Sequence, residues 1–192
     1  MVKIGFIVEG GTEKVLVESP QFVAWLNEQQ LELVKPIIDA KGGGNLLPRN
    51  IEPLVALLRA KGAEHIVILT DLENAADVDS VKERITNQYS ELIFVAVKAI
   101  EVWFLADTEA MKKWLNVDDF IEIAPEETVE MPWERLRDIA NELNLRGPGS
   151  SKVSFAKRMV KHYGFLVTNA ADHSNCPSAT EFKNGLMALS NS

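Results

Sequence analysis

The sequence is poor in the groups that would staple, anchor or covalently arm a protein. It has one cysteine, Cys176, so no internal disulfide can form, and a reducing cytoplasm is the expected compartment. No apolar run approaches the ~20 residues needed to cross a bilayer, and the first residues read as a strand where a signal peptide would have a charged and then an apolar stretch. No membrane partner is expected. His65, His162 and His173 are scattered without metal-ligand spacing, and neither Tyr89 nor Tyr163 lies in a recognisable nucleophile motif. Positive charge is short as well: 20 Lys and Arg against 28 Asp and Glu give −8, which argues against a protein that coats nucleic acid generally. There are no internal repeats and no low-complexity tract.

What the chain does have is apolar content, 46% of 192 residues, enough for the core of one domain with a small appendage. Its charge is unevenly spread. Residues 131–165 carry seven Lys/Arg against three Asp/Glu, whereas residues 1–130 carry 12 against 23. Such an acidic part could collect metal while the basic part meets phosphate, although on charge alone both are ordinary solvated helix faces.

Lys3 to Val8 reads as a short buried strand that runs straight into Glu9-Gly-Gly-Thr-Glu13, a turn and helix start, with Thr12 as a candidate cap. The helical stretch to about Gln30 has Pro20 in its middle, so a kink or a break is expected there. Leu31 to Ile38 suits a second strand, Lys41-Gly-Gly-Gly-Asn45 a loop, and Pro48 to Lys61 a helix. His65 to Thr70 is nearly all apolar and β-branched, as a central parallel strand requires, and ends in Asp71-Leu-Glu73. A helix over about 77–89 and a strand over 92–97 complete an alternating pattern that predicts an α/β fold: a parallel sheet of about four strands flanked by helices. The core is expected over 1–107. Residues 108–192 read as a mostly helical extension packed on it, with helices near 108–116, 132–144, 151–163 and 178–190 and an acidic linker over 117–130.

Acids cluster where such sheets bind ligands, at the carboxyl ends of strands: Glu9, Asp71 with Glu73, and Glu101, with Glu13 one turn into the first helix. Alternate residues of an extended segment point the same way, so Asp71 and Glu73 are expected to face one site. Converging carboxylates repel one another unless a cation sits among them, and oxygen-only donors select Mg²⁺, Mn²⁺ or Ca²⁺ over zinc. Singly, each acid has an ordinary alternative: Asn74 or Asp77 can cap the third helix, and Glu101 can favour a helix N-terminus. Lys41 before the triple glycine, Lys98 before Glu101 and Lys152 opening the basic helix are candidate phosphate contacts, each with a surface lysine as the alternative. Trp25, Trp103, Trp114 and Trp133 read as core, and Cys176 as inert.

Val8-Glu-Gly-Gly-Thr-Glu13 resembles the first motif of the TOPRIM fold, shared by topoisomerases, bacterial primases and the overcoming-lysogenization-defect (OLD) nucleases, and has the form typical of the nuclease branch. Asp71-Leu-Glu73 stands where that family has Asp-x-Asp, with a glutamate one methylene longer than the usual second aspartate. Gly42 to Pro48 resembles the glycine-to-leucine-proline loop of topoisomerase-type members. Ile100 to Asp107 and Cys176 to Phe182 are similar to segments of small stand-alone bacterial TOPRIM proteins, some near phage-defence genes. The resemblance implies a Mg²⁺- or Mn²⁺-dependent nuclease or related phosphoryl-transfer enzyme acting on DNA or RNA. Glu9 would be the general acid/base and a candidate metal ligand, Asp71 and Glu73 would hold metal, and Glu13 and Glu101 are candidates for a second ion. Hydrolysis by activated water is expected, since no tyrosine nucleophile is identifiable. Two other readings stay open: a catalytically silent TOPRIM-like binding or regulatory subunit, with or without a protein partner, and a nucleotide-binding α/β protein supported by Gly10-Gly11 and Gly42 to Gly44.

Overall fold

A computed structural model describes residues 1–85 and 92–190. Four strands, β1 (Val2–Val8), β2 (Leu31–Asp39), β3 (His65–Asp71) and β4 (Ile93–Ala96), form one sheet in the order β2-β1-β3-β4. Every pairing is parallel, with β1 and β3, whose runs Ile4–Val8 and Ile66–Thr70 are buried throughout, at the centre. The expected α/β architecture is the one observed.

The break at Pro20 is complete. Helix α1 (Gly11–Val17) stops, and α2 (Pro20–Glu28) starts afresh with Ser19 Oγ accepting from the Phe22 N–H (3.2 Å) and proline at its first position. Thr12 does not cap α1: the helix already begins at Gly11, and Thr12 is buried inside its first turn. One face of the sheet is covered by α3 (Pro48–Ala60) and α4 (Val78–Ile85), where Ile51, Val55, Leu58, Val81 and Ile85 meet Ile7, Ile66, Ile68 and Val95. Asp77 does cap α4, its carboxylate accepting from the Ser80 N–H at 2.7 Å. The end of the helix expected over 77–89 falls outside the described residues.

The other face carries the larger core. Phe6, Val8, Val67, Leu69 and Phe94 pack with α1 and α2 and with the helices that follow the sheet: α5 (Val102–Ala106), α6 (Thr108–Leu115), α7 (Pro132–Glu142), α8 (Lys152–His162), α9 (Val167–Ala171) and α10 (Pro177–Leu189). Phe182 of α10 is the hub, touching Phe6, Phe22, Phe94 and Trp103 with ring centroids 5.1–6.2 Å apart. Helices α5 and α9 are additional to the sequence reading. Each has five residues, too few to show a period, and all five of α5 (Val-Trp-Phe-Leu-Ala) are buried, so it has no polar face to mark it as a helix. The acidic stretch 117–130 is held as a strap by a 3₁₀ turn (Pro125–Glu127) and by the Glu126 carboxylate, which accepts from the Ser178 N–H at 2.8 Å.

Candidate active site

Glu9 directly follows β1, while β3 ends on Asp71 and β2 on Asp39, and parallel order brings all three to one sheet edge. There they line an open cleft of about 420 Å³, together with Glu13, Glu101, Lys41 and Lys152. Six of the eight residues singled out from the sequence therefore share one site. Glu73 and Lys98 are not among its walls.

Glu9 is fixed by three donors. The Thr70 hydroxyl and the Asp71 N–H (3.1 Å) donate to Oε2, and the Gly43 N–H (3.1 Å) donates to Oε1. Its own carbonyl accepts from Gly42 N–H at 2.9 Å, which folds the glycine loop over it. Gly42 adopts φ +116°, a conformation that glycine alone takes readily, and a Cβ at Gly43 would stand 3.2 Å from Glu9 Oε1, close enough that the carboxylate would have to shift. Gly42 and Gly43 are thus a cradle for Glu9.

The remaining acids crowd together at low exposure. Glu13 is 3% exposed and Glu101 1%. Burial first, and then the charges of Glu9 and Glu101, push the Glu13 carboxyl up to about 7, although the backbone N–H groups of Glu13 and Gly10 pull the other way. Burial followed by the charges of Glu13, Glu101 and Glu9 raises Asp71 well above the usual carboxylate range, against the single Ile100 N–H that donates to its Oδ1 (2.8 Å). Burial also raises Glu101, opposed by the Lys152 ammonium, which donates to its Oε2 at 3.1 Å. Lys152 itself is 46% exposed and reaches into the cleft from α8.

Lys41 lies on the rim, 78% exposed, and pairs with Asp39 at 2.8 Å. Asp39 is missing from the sequence reading because the second strand is taken there to end at Ile38; the rule that acids at strand ends mark the site reaches it once β2 is one residue longer. Thr70, which orients Glu9, carries no signal beyond its place before Asp71.

Glu73 is exposed, at φ +48°, with its N–H bonded to the Lys98 carbonyl (2.6 Å). The alternation argument fails because β3 stops at Asp71 and the chain turns before residue 73. Lys98, also left-handed at φ +63°, donates to the Thr128 carbonyl and to the Glu130 carbonyl (3.3 Å), so it ties the strap down. Cys176 is buried, and burial with Glu126 beside it pushes the thiol up to about 12, which keeps it protonated.

Among the described residues no three Asp, Glu, His or Cys are already drawn into a ligand set. The donor chemistry nevertheless suits a hard divalent cation: every acid facing the cleft offers oxygen, and the Glu13 and Asp71 carboxyls, raised first by burial and then by the neighbouring carboxylates, are groups whose charged forms a bound cation would favour. No helix is long and apolar enough to cross a membrane among the described residues.

The fold is similar to the C-terminal region of the Burkholderia pseudomallei OLD protein, over 98% of this chain and 98% of that one, with a TM-score of 0.53 at 15% identity. The C-terminal region of the Xanthomonas campestris pv. campestris OLD protein aligns over 98% of this chain and 93% of that chain, with a TM-score of 0.43 at 16% identity. No family profile matches the sequence, and no curated protein matches it. The chain therefore has an OLD-like TOPRIM fold, at a sequence distance where likeness speaks for architecture alone.

Proposed function

We propose that the chain is a divalent-cation-dependent nuclease, or a related phosphoryl-transfer enzyme, acting on DNA or RNA. The observation that carries this reading is the meeting of Glu9, Glu13, Asp71 and Glu101 with Lys41 and Lys152 in one open cleft at the carboxyl edge of the sheet. Asp71 and Glu13 would hold Mg²⁺ or Mn²⁺, and Glu101 would serve a second ion. Glu73 takes no part in this assignment. When bound, such a cation polarises a phosphoryl oxygen and makes bound water more acidic. Glu9, held by Thr70, Asp71 and Gly43, is the group oriented to take a proton from water or hand one to a leaving oxygen. Lys152 offers its ammonium to a phosphate on leaving Glu101, and Lys41 does the same from the glycine rim.

The place of Glu73 favours a second reading, a binding subunit without turnover, because the acid expected to complete a metal pair lies outside the cleft. One experiment separates the two. Purified protein is incubated with single-stranded DNA, duplex DNA and RNA in Mg²⁺ or Mn²⁺, beside Glu9→Ala and Asp71→Ala. Cleavage that disappears in both variants is the result expected. Metal-dependent binding without cleavage would establish the second reading, and cleavage surviving both substitutions would overturn the first.

A further inference from the structure

The cleft does not end at its acids. Helices α1 and α8 run side by side from it, with Gly11 so close to Val153 that a Cβ there would lie 2.9 Å from a Val153 methyl. The first turns of both helices line the cleft, through Gly11 to Glu13 and through Lys152 and Val153. Their later turns, with the start of α2, line a second, more apolar groove of about 560 Å³, whose walls include Val15, Pro20 and Val160 together with Glu18, Lys157 and Lys161. The same two helices therefore border both sites.

We infer that this groove receives a single-stranded nucleic-acid segment that continues from the phosphate held in the cleft, an inference that rests on reading the cleft as a nucleic-acid site. Three observations favour that occupant. Lys157 and Lys161 lie one helical turn apart on α8, both are exposed, and neither makes an ion pair among the described residues, so two ammonium groups stand ready for successive phosphates. The acid among its walls, Glu18, is offset by Lys14 at 3.9 Å. The groove is mainly apolar, and only an unpaired strand can lay base faces against such a surface, because a duplex buries its bases in the stack. From Lys152 to Lys161 the helix rises about 13 Å, so the groove carries the strand onward by a short, defined step.

The test measures anisotropy of a labelled oligothymidylate and of a matching duplex with the full chain at low salt, and Mn²⁺-dependent hydrolysis of bis(p-nitrophenyl) phosphate, which needs the cleft alone. In Lys157→Gln/Lys161→Gln, oligothymidylate binding should weaken about tenfold and the slope of log affinity against log salt should fall by about 1.4, with hydrolysis of the small diester unchanged. Wild-type affinity and slope in this variant would overturn the groove while leaving the cleavage reading standing. Lysine-dependent binding without hydrolysis of the diester would keep the groove and remove the enzyme. Equal or tighter binding of the duplex, or lysine-dependent binding of polyglutamate with none of oligothymidylate, would overturn the inference.

Discussion

Glu13 is a carboxyl group whose fold works against its charge. Its ordinary value of 4.5 rises to about 7 in the folded chain, so between those two values the native state keeps a proton that the unfolded chain has released. Stability from this group is present at pH below 4.5, falls as pH climbs through the window, and is fully lost above 7. For so buried a group the loss reaches about 3 kcal/mol as an upper bound. Urea unfolding should therefore give a lower midpoint at pH 8 than at pH 5, and Glu13→Gln should be the more stable chain at pH 8 by about 1–3 kcal/mol while nearly matching wild type at pH 5. Millimolar Mg²⁺ should raise the wild-type midpoint more at pH 8, where it no longer competes with protons, and raise that of Glu13→Gln less. Identical pH profiles for the two chains would show that Glu13 is not under electrostatic load. At this scale the sequence is a partial guide. Glu9 and Asp71 are legible because each stands where an apolar strand finishes, and strand ends in a parallel sheet gather at one edge. Glu73 and Lys98 mislead because left-handed residues turn the chain just past β3 and β4, a local event that no side-chain pattern announces.

Among the elements, the pair α1 and α8 decides the shape of the cleft, because one supplies Glu13 and the other Lys152. Their approach depends on Gly11 having no side chain against Val153. Gly11→Ala should push α8 outward or force Val153 into a poorer rotamer, costing about 1–3 kcal/mol in an overpacked contact. The readout is the urea midpoint, taken together with a compensating variant: Gly11→Ala/Val153→Ala should recover most of the loss by making room again. No loss in Gly11→Ala, or no recovery in the double variant, would mean that the helices are not held by this contact. Long helices such as α3 and α10 are legible from their periodic apolar faces and proline starts, whereas α5 and α9 are too short to repeat anything. The pairing of α8 with α1 joins residues far apart in sequence, and nothing in either helix names the other.

For the molecule as a whole, the division at residue 107 follows the change in sequence pattern, and the apolar packing runs across it. Phe6, Val67, Leu69 and Phe94 lie on a sheet face whose cover includes Phe182 and Leu186 of α10, and Trp103 on one side of the division donates its ring N–H to Ser178 on the other at 3.0 Å. Asp107 is wholly buried and accepts from the Leu166 N–H at 2.8 Å as well as from the Ala110 N–H that starts α6. A chain cut after residue 107 would expose that aromatic face to water and lose the hydrogen bonds that tie Asp107 to α6 and Leu166, a loss of apolar burial that local structure in β1 to β4 cannot offset. Residues 1–107 made alone should then be insoluble or lack a cooperative thermal transition, whereas the full chain should unfold in a single transition followed equally by far-ultraviolet and tryptophan signals. Two separated transitions in the full chain, or a cooperative melt of the fragment, would show that the sheet stands without the helices that follow it.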